Sequence, residues 1–193
     1  ANNFEHNNNS KLKLNMEDGG RILFLSNGNL TLSGMINTFS LTNQIEVSGN
    51  NYIYASLVNS NLDLDKDINL DDNKDSYKKL EILSSSIKNS KTIKGSKKGQ
   101  LAIAQENTDD NPASKIKLLN NNKIELTGEE SVAIYGKRAE IDNKGSISVG
   151  EKSAAIYLVE DNGGKTLAGS AKNNGLITLG EYSSGMLYKA ETT

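Results

Sequence analysis

The strongest constraint on this chain is a pattern written three times in its last third. Ile124-Glu-Leu-Thr-Gly-Glu-Glu-Ser-Val-Ala-Ile-Tyr135, Ile147-Ser-Val-Gly-Glu-Lys-Ser-Ala-Ala-Ile-Tyr157 and Ile177-Thr-Leu-Gly-Glu-Tyr-Ser-Ser-Gly-Met-Leu-Tyr188 share one order. Two aliphatics flank one residue, Gly-Glu follows, and a serine leads into a short apolar run that ends in tyrosine. An Asn-rich turn precedes each copy: Asn120-Asn-Asn122, Asn143-Lys-Gly145 and Asn173-Asn-Gly175. A fainter copy runs from Ile45-Glu-Val-Ser-Gly49 to Ile53-Tyr54. Taken on Ser131, Ser153 and Ser184, the first step is about 22 residues and the second about nine residues longer, within the range of stacked-coil repeats.

Short aliphatic-x-aliphatic units recur along the chain at Leu30, Ile45, Leu62, Ile68, Ile124, Ile147 and Ile177, many stopping at glycine. Period two with Gly and Asn punctuation is a strand signal, and no helical period persists. A repeat of about 22 residues built from such strands is what a parallel β-solenoid requires, because one coil cannot bury its aliphatics alone while stacked coils can. The expected fold is therefore all-β, a parallel β-helix with coils of about 22 residues and loop insertions. At that spacing the chain makes roughly eight or nine coils, a rod on the order of 40 Å long. Gly and Asn are expected at corners needing positive φ, and stacked Asn side chains are expected to bond along a ladder. An antiparallel sandwich of short strands is the competing architecture, but hairpin signals at regular spacing are missing.

A polar tract opens the chain, so residues 1–15 are set apart from a single solenoid over 16–193. The tract has neither a basic start nor an apolar centre, unlike a signal peptide. The repeat breaks near 71–79, 105–115 and 160–171, and loops leaving a solenoid are where binding concentrates. Asp109, Asp110, Glu160 and Asp161 are candidate contact residues on two of these loops, against the plainer reading of tolerated surface insertions.

Alternation places Val132 and Ile134 on one face and Tyr135 on the other. The same parity turns Tyr157 and Tyr188 outward, with Ile156 and Leu187 inward, so stacking would line the three tyrosines into a column. That column reads either as a structural aromatic stack or as a contact strip, since tyrosine is enriched at binding hot spots.

Much chemistry is excluded by composition. There is no cysteine, hence no disulfide, thiolate zinc site or cysteine nucleophile. The only histidine, His6, lies in the polar tract, so a Ser-His-Asp arrangement lacks a held base. No phosphate-cradling Gly-rich loop occurs. A net charge of −2 gives no reason to bind a nucleic-acid backbone. No cofactor or metal site is indicated. The acids from Asp63 to Asp71 begin like a calcium loop, yet the turn glycine would fall on Ile68 and the twelfth ligand on Lys74. A strand with solvent-facing aspartates fits them better. Lys88, Lys91, Lys94, Lys97 and Lys98 either attract an anionic surface or protect an exposed edge.

Residues 124–136 and 143–157 resemble the passenger repeats of very large fusobacterial type V autotransporter adhesins, clearly over 120–193 and faintly over 30–54. The resemblance implies a β-helical passenger at the cell surface, exported through the outer membrane by a C-terminal β-barrel, of which this chain would be a fragment. It also implies cell adhesion, coaggregation and virulence. The implied partners are a surface protein or glycan of other bacteria or host cells. Members of that family include amino-acid-inhibitable coaggregation adhesins and galactose-type lectins. The rival readings are a secreted β-helical polysaccharide-degrading enzyme, whose paired carboxylates would leave no linear motif, and a pure spacer.

Overall fold

A computed structural model describes residues 12–15, 21–27, 29–33, 45–48, 53–72, 80–108, 115–161 and 169–191. Twenty strands and no helix are found among them. In chain order they begin with β1 (Leu12–Asn15), β2 (Arg21–Ser26), β3 (Asn29–Ser33), β4 (Ile45–Ser48), β5 (Ile53–Val58), β6 (Asn61–Asp65) and β7 (Ile68–Asn69). Next come β8 (Leu80–Leu83), β9 (Ser86–Asn89), β10 (Ile93–Gly95), β11 (Leu101–Glu106), β12 (Lys117–Asn120), β13 (Lys123–Leu126) and β14 (Val132–Lys137). The last are β15 (Glu140–Asn143), β16 (Ser146–Val149), β17 (Ala154–Asp161), β18 (Ser170–Asn173), β19 (Leu176–Leu179) and β20 (Ser184–Glu191). β1 falls inside the segment that composition set apart.

Every strand pairing is parallel, and neighbours in a sheet lie three strands apart in sequence. The chain is thus a three-sided parallel β-solenoid. The first face is the six-stranded sheet β3-β6-β9-β12-β15-β18, and the second is β7-β10-β13-β16-β19. The third carries β2-β5-β8 and β11-β14-β17-β20 as two separate ladders. β1 pairs only with β4, which in chain order takes the place of a second-face strand.

Aliphatics fill the interior because alternation aims them there. Leu62, Ile87, Leu118 and Ile141 stack on the first face, Ile68, Ile93, Ile124 and Ile147 on the second, and Ile103, Ile134 and Ile156 on the third. All eleven are buried. Each contributes about 1.5–3 kcal/mol, so the stacked columns dominate stability.

The expected Asn ladder is present at the ends of the first-face strands. Asn89 Nδ2 donates to Asn120 Oδ1 (2.8 Å), Asn120 to Asn143 (2.7 Å) and Asn143 to Asn173 (2.7 Å). Each amide also closes a turn within its own coil, Asn120 Nδ2 on Asn122 O (3.0 Å) and Asn173 Nδ2 on Gly175 O (3.0 Å). Asn89, Asn120 and Asn143 are fully buried, and this double use of each amide is what makes that tolerable.

The same ladder measures the coils, since its successive rungs are separated by 31, 23 and 30 residues. The shortest step is close to the bare repeat, and the longer ones carry the insertions. Among the described residues the first face has six rungs, where eight or nine coils were expected. Insertions consume residues without lengthening the rod, so the six-stranded face spans about 24 Å at ~4.8 Å per strand.

A serine ladder marks the corner between second and third faces. Gln100 N–H donates to Ser131 Oγ, Ser131 N–H to Ser153 Oγ and Ser153 N–H to Ser183 Oγ, at 3.0–3.1 Å. The register residue of the last copy is therefore Ser183, where Ser184 was expected.

Glycine has a different role from the one composition suggested. Positive φ is taken mainly by other residues, stacked at two corners: Glu130, Lys152 and Tyr182 at one, Asn27, Asn59, Ser84 and Arg138 at the other. Among the described glycines only Gly99 (φ 72°) joins them. Gly145 is needed because a Cβ there would overlap the Asn122 carbonyl of the preceding coil. The repeat's glycines are contact residues between coils.

The ladders and the close backbone approach can each be tested by substitution. Asn120→Ala strands a donor on Asn89 and an acceptor on Asn143, and a loss of about 2–4 kcal/mol is expected. Asn173→Ala, at the exposed end, should lose under about 1 kcal/mol; equal losses in urea unfolding would contradict the ladder's role. Gly145→Ala should lose about 3 kcal/mol by steric overlap. Gly99→Ala, with open space around it, should lose only about 1 kcal/mol.

Candidate functional site

The third face is interrupted in the middle of the stack, between β8 and β11. β8 and β11 lie on successive coils yet form no backbone ladder with each other. Upstream, the corner leaving this face is closed by serine, Ser60 N–H donating to Ser85 Oγ (3.0 Å). In the next coil a glutamine does that work. Gln105 Oε1 accepts from Ser85 N–H (3.2 Å), while its Nε2 donates to Ile82 O (3.2 Å) and Ala104 O (2.8 Å). Ser84 Oγ lies 2.6 Å from Thr108 Oγ1 and accepts from Thr108 N–H (3.1 Å). Side chains thus stitch a seam that backbone bonds close elsewhere.

Beside the seam is a cleft of about 390 Å³. Ile82, Leu83, Leu101 and Ala104 form its apolar wall, and Glu106 and Tyr135 stand on its rim. One residue of the repeat pattern contributes to it. In-register pairing puts Ala104, Tyr135 and Tyr157 in one column, so the coil of β11 has a methyl where the next two have phenol rings. Tyr135 and Tyr157 meet edge to face with centroids 5.6 Å apart at 80°. Such a pair is worth about 0.5–1.5 kcal/mol beyond burial. The Tyr135 hydroxyl donates to Glu106 Oε1 (3.0 Å) in the preceding coil. Loop base and cleft are tied together: Asn107 N–H donates to Lys137 O (2.9 Å), and the buried Arg138 guanidinium donates to Asn107 O.

Of the three expected tyrosines, the structure brings together two. Because Ser183 sets the register, Leu187 falls beside Tyr157 and Tyr188 beside Leu158. Met186, not Leu187, continues the inward column of Ile156. Tyr188 instead donates its hydroxyl to Glu160, which joins two candidate residues that sequence had kept apart. That hydrogen bond, with burial and the carboxylate charge, raises the phenol pKa. Asp161 ends β17, and its side chain lies outside the description, as do Asp109 and Asp110 altogether. Residues 109–114 and 162–168 both connect a third-face strand to a first-face strand, whereas 73–79 connect the second face to the third.

Glu106, Gln105, Leu83 and Leu101 were not singled out from sequence. The signal available was the copy Gln100-Leu-Ala-Ile-Ala104, which carries Gln in the serine slot and Ala in the tyrosine slot.

The two charged runs prove to be one feature. Asp63 bonds Lys88 (3.0 Å) and Ser90 (2.8 Å), Asp65 approaches Lys91 (3.8 Å), and Asp67 accepts from Thr92 N–H (3.0 Å). The acidic coil lies against the basic one, and Lys98 is held by Glu130 and Glu129 of the following coil. Leu62 and Leu64 point inward, so the aspartates do occupy the outer face of β6. The lysines do not guard an edge, since β9 and β10 are interior strands of their sheets. Exposed pairs of this kind are worth about 0–1 kcal/mol each, so they specify which coils stack more than they hold them.

No family model, curated protein or solved structure matches this chain.

Asp71 yields a pH prediction. Ser96 donates its hydroxyl (2.7 Å) and N–H (3.0 Å), Gln100 its amide (2.7 Å), and Lys97 adds positive charge. Together these outweigh desolvation and bring the carboxyl down to about 2. A depressed folded pKa contributes stability in full above the unfolded value of about 4, lost as pH falls toward 2. The urea midpoints of wild type and Asp71→Asn should therefore differ equally at pH 7 and 5 and converge between pH 4 and 2. A difference unchanged at pH 2 would refute this.

Proposed function

We propose that this chain is an adhesive rod segment, displayed at a cell surface in the manner of the autotransporter passengers its repeats resemble. It holds its third face and loop-bearing corners toward a protein or glycan on another cell. The observation that carries the reading is asymmetry among the faces. The first face is one continuous ladder and the second is continuous from β7 to β19, and both carry charged and amide side chains bonded from coil to coil. The third face has the seam, the cleft, the tyrosine pair and the exposed apolar side chains of Phe24 (61%) and Leu83 (53%), while the exposed Leu176 and Leu179 of the second face lie on its last strand, β19. Exposed apolar groups clustered beside a cleft mark interaction sites. A stiff, nearest-neighbour stack is suited to presenting them at a distance from an anchor.

A spacer reading has one observation in its favour, the coil-to-coil side-chain bonds on two faces, such as Asn120 to Asn143 and Lys88 to Asp63. Beads coated with the chain should adhere to bacterial or host cells, with competition by free amino acids or sugars identifying the partner's chemistry. Phe24→Ser combined with Leu83→Ser should lower adhesion at least about fivefold without moving the melting temperature, since both side chains are exposed. Failure of wild-type beads to bind any cell would leave the spacer reading.

A further inference from the structure

The cleft between β8 and β11 is the empty position of an aromatic column. Along the third face the slot is filled by the Tyr157 ring, then by the Tyr135 ring, then by the methyl of Ala104. Tyr135 lines the cleft at the Ala104 step and packs edge to face on Tyr157. The space is about 390 Å³, within the range of small-molecule sites.

The lining narrows the chemistry of what fits. Gln105 uses its amide hydrogens on two carbonyls and its oxygen on Ser85 N–H, and Ser84 and Thr108 are bonded to each other. Among the described residues lining the cleft, Glu106 is the only charged one, and its Oε1 accepts from the Tyr135 hydroxyl. Lys137 stands in register with Glu106 on β14 and is not part of the lining. Among the described residues, the lining thus offers an apolar wall, the Tyr135 ring and one carboxylate oxygen.

We propose that this cleft binds a small aromatic cation, whose ring takes the vacant tyrosine slot against Tyr135 and whose ammonium group meets the Glu106 carboxylate. The ring gains burial against Leu83, Leu101 and Ala104 together with an edge-to-face contact. The ammonium gains a charge-assisted hydrogen bond that a neutral or anionic analogue lacks. Binding of a small molecule here does not require the rod to adhere to cells. The two readings therefore fail separately, one in a titration of purified protein and the other on beads.

The test is a calorimetric titration with 2-phenylethylamine, 2-phenylethanol and 3-phenylpropanoate, with ring and methyl NMR shifts at Tyr135, Leu83 and Leu101 locating the site. The amine should bind saturably, about tenfold more tightly than the alcohol, and the carboxylate should not bind. Glu106→Gln, which still accepts from Tyr135, should bring amine and alcohol to the same affinity. Ala104→Tyr restores the repeat's own residue, so it should abolish amine binding while the melting temperature holds or rises. Should that variant not fold, Glu106→Gln and the probe series still decide. No saturable amine binding, equal affinity for amine and carboxylate, or binding that survives in a folded Ala104→Tyr variant would each overturn the proposal.

Discussion

Everything in this rod depends on coils stacking in register at the separation of hydrogen-bonded strands. That spacing is too short for a side chain wherever the backbone of one coil turns directly over the backbone of the next. Glycine at 145 lets the chain pass over the Asn122 carbonyl, and that close approach holds the first- and second-face strands at ladder distance. Once the distance is set, identical side chains above one another become partners. Asn89, Asn120 and Asn143 can be buried because each meets a copy of itself at the separation an amide–amide bond needs. The same spacing brings Ile124 onto Ile147 and Ser131 onto Ser153. Backbone strain at Glu130 and Lys152 is tolerated because the serine ladder and the pairing on both sides over-determine the corner.

Much of this was legible from the repeat. Strands at Leu30, Ile45, Leu62, Ile68, Ile124, Ile147 and Ile177, their parallel pairing and the Asn ladder all follow from period two, short punctuated units and a repeat too brief to bury its own aliphatics. What misled was arithmetic on one bare coil. The step from Asn120 to Asn143 is the shortest of its ladder, and insertions at the corners stretch the steps on either side of it. Register in the last copy is ambiguous in the sequence for a similar reason. Ser183 and Ser184 are chemically identical, and only contact with Ser153 distinguishes them. A slip of one residue sends a side chain to the opposite face, which is why Tyr188 leaves the tyrosine column and Leu187 enters it.

The acidic and basic runs show a second limit of linear reading. Each run, taken alone, suggests an outside partner: a cation for Asp63–Asp71, an anionic surface for Lys88–Lys98. Set one coil apart, as Asp63 and Lys88 are, they are each other's partner. A solenoid converts sequence distance equal to its coil length into contact, so charge patterning has to be read modulo that length before any run is assigned to a ligand. Since coil length varies along this chain, the correct offset emerges only from the stacked structure.

The candidate site was hard to see for a related reason, and the reason bears on function. In a repeat protein each recurring slot is already committed to the stack, so the positions free to do something else are those where a copy departs from the pattern. Gln100 and Ala104 are two such departures in one coil. Gln100 reaches back to Asp71 and keeps the corner closed, so stacking survives that substitution. Ala104 has no such replacement: its methyl leaves the tyrosine column open beside Leu83 and Leu101, and Gln105 carries the seam bonds that a backbone ladder would otherwise supply. A missing ring bordered by unsatisfied polar groups would only destabilise the stack. Here the polar groups around the gap are bonded to one another and its wall is apolar, so the opening is stable while empty and complementary to a ring supplied from outside.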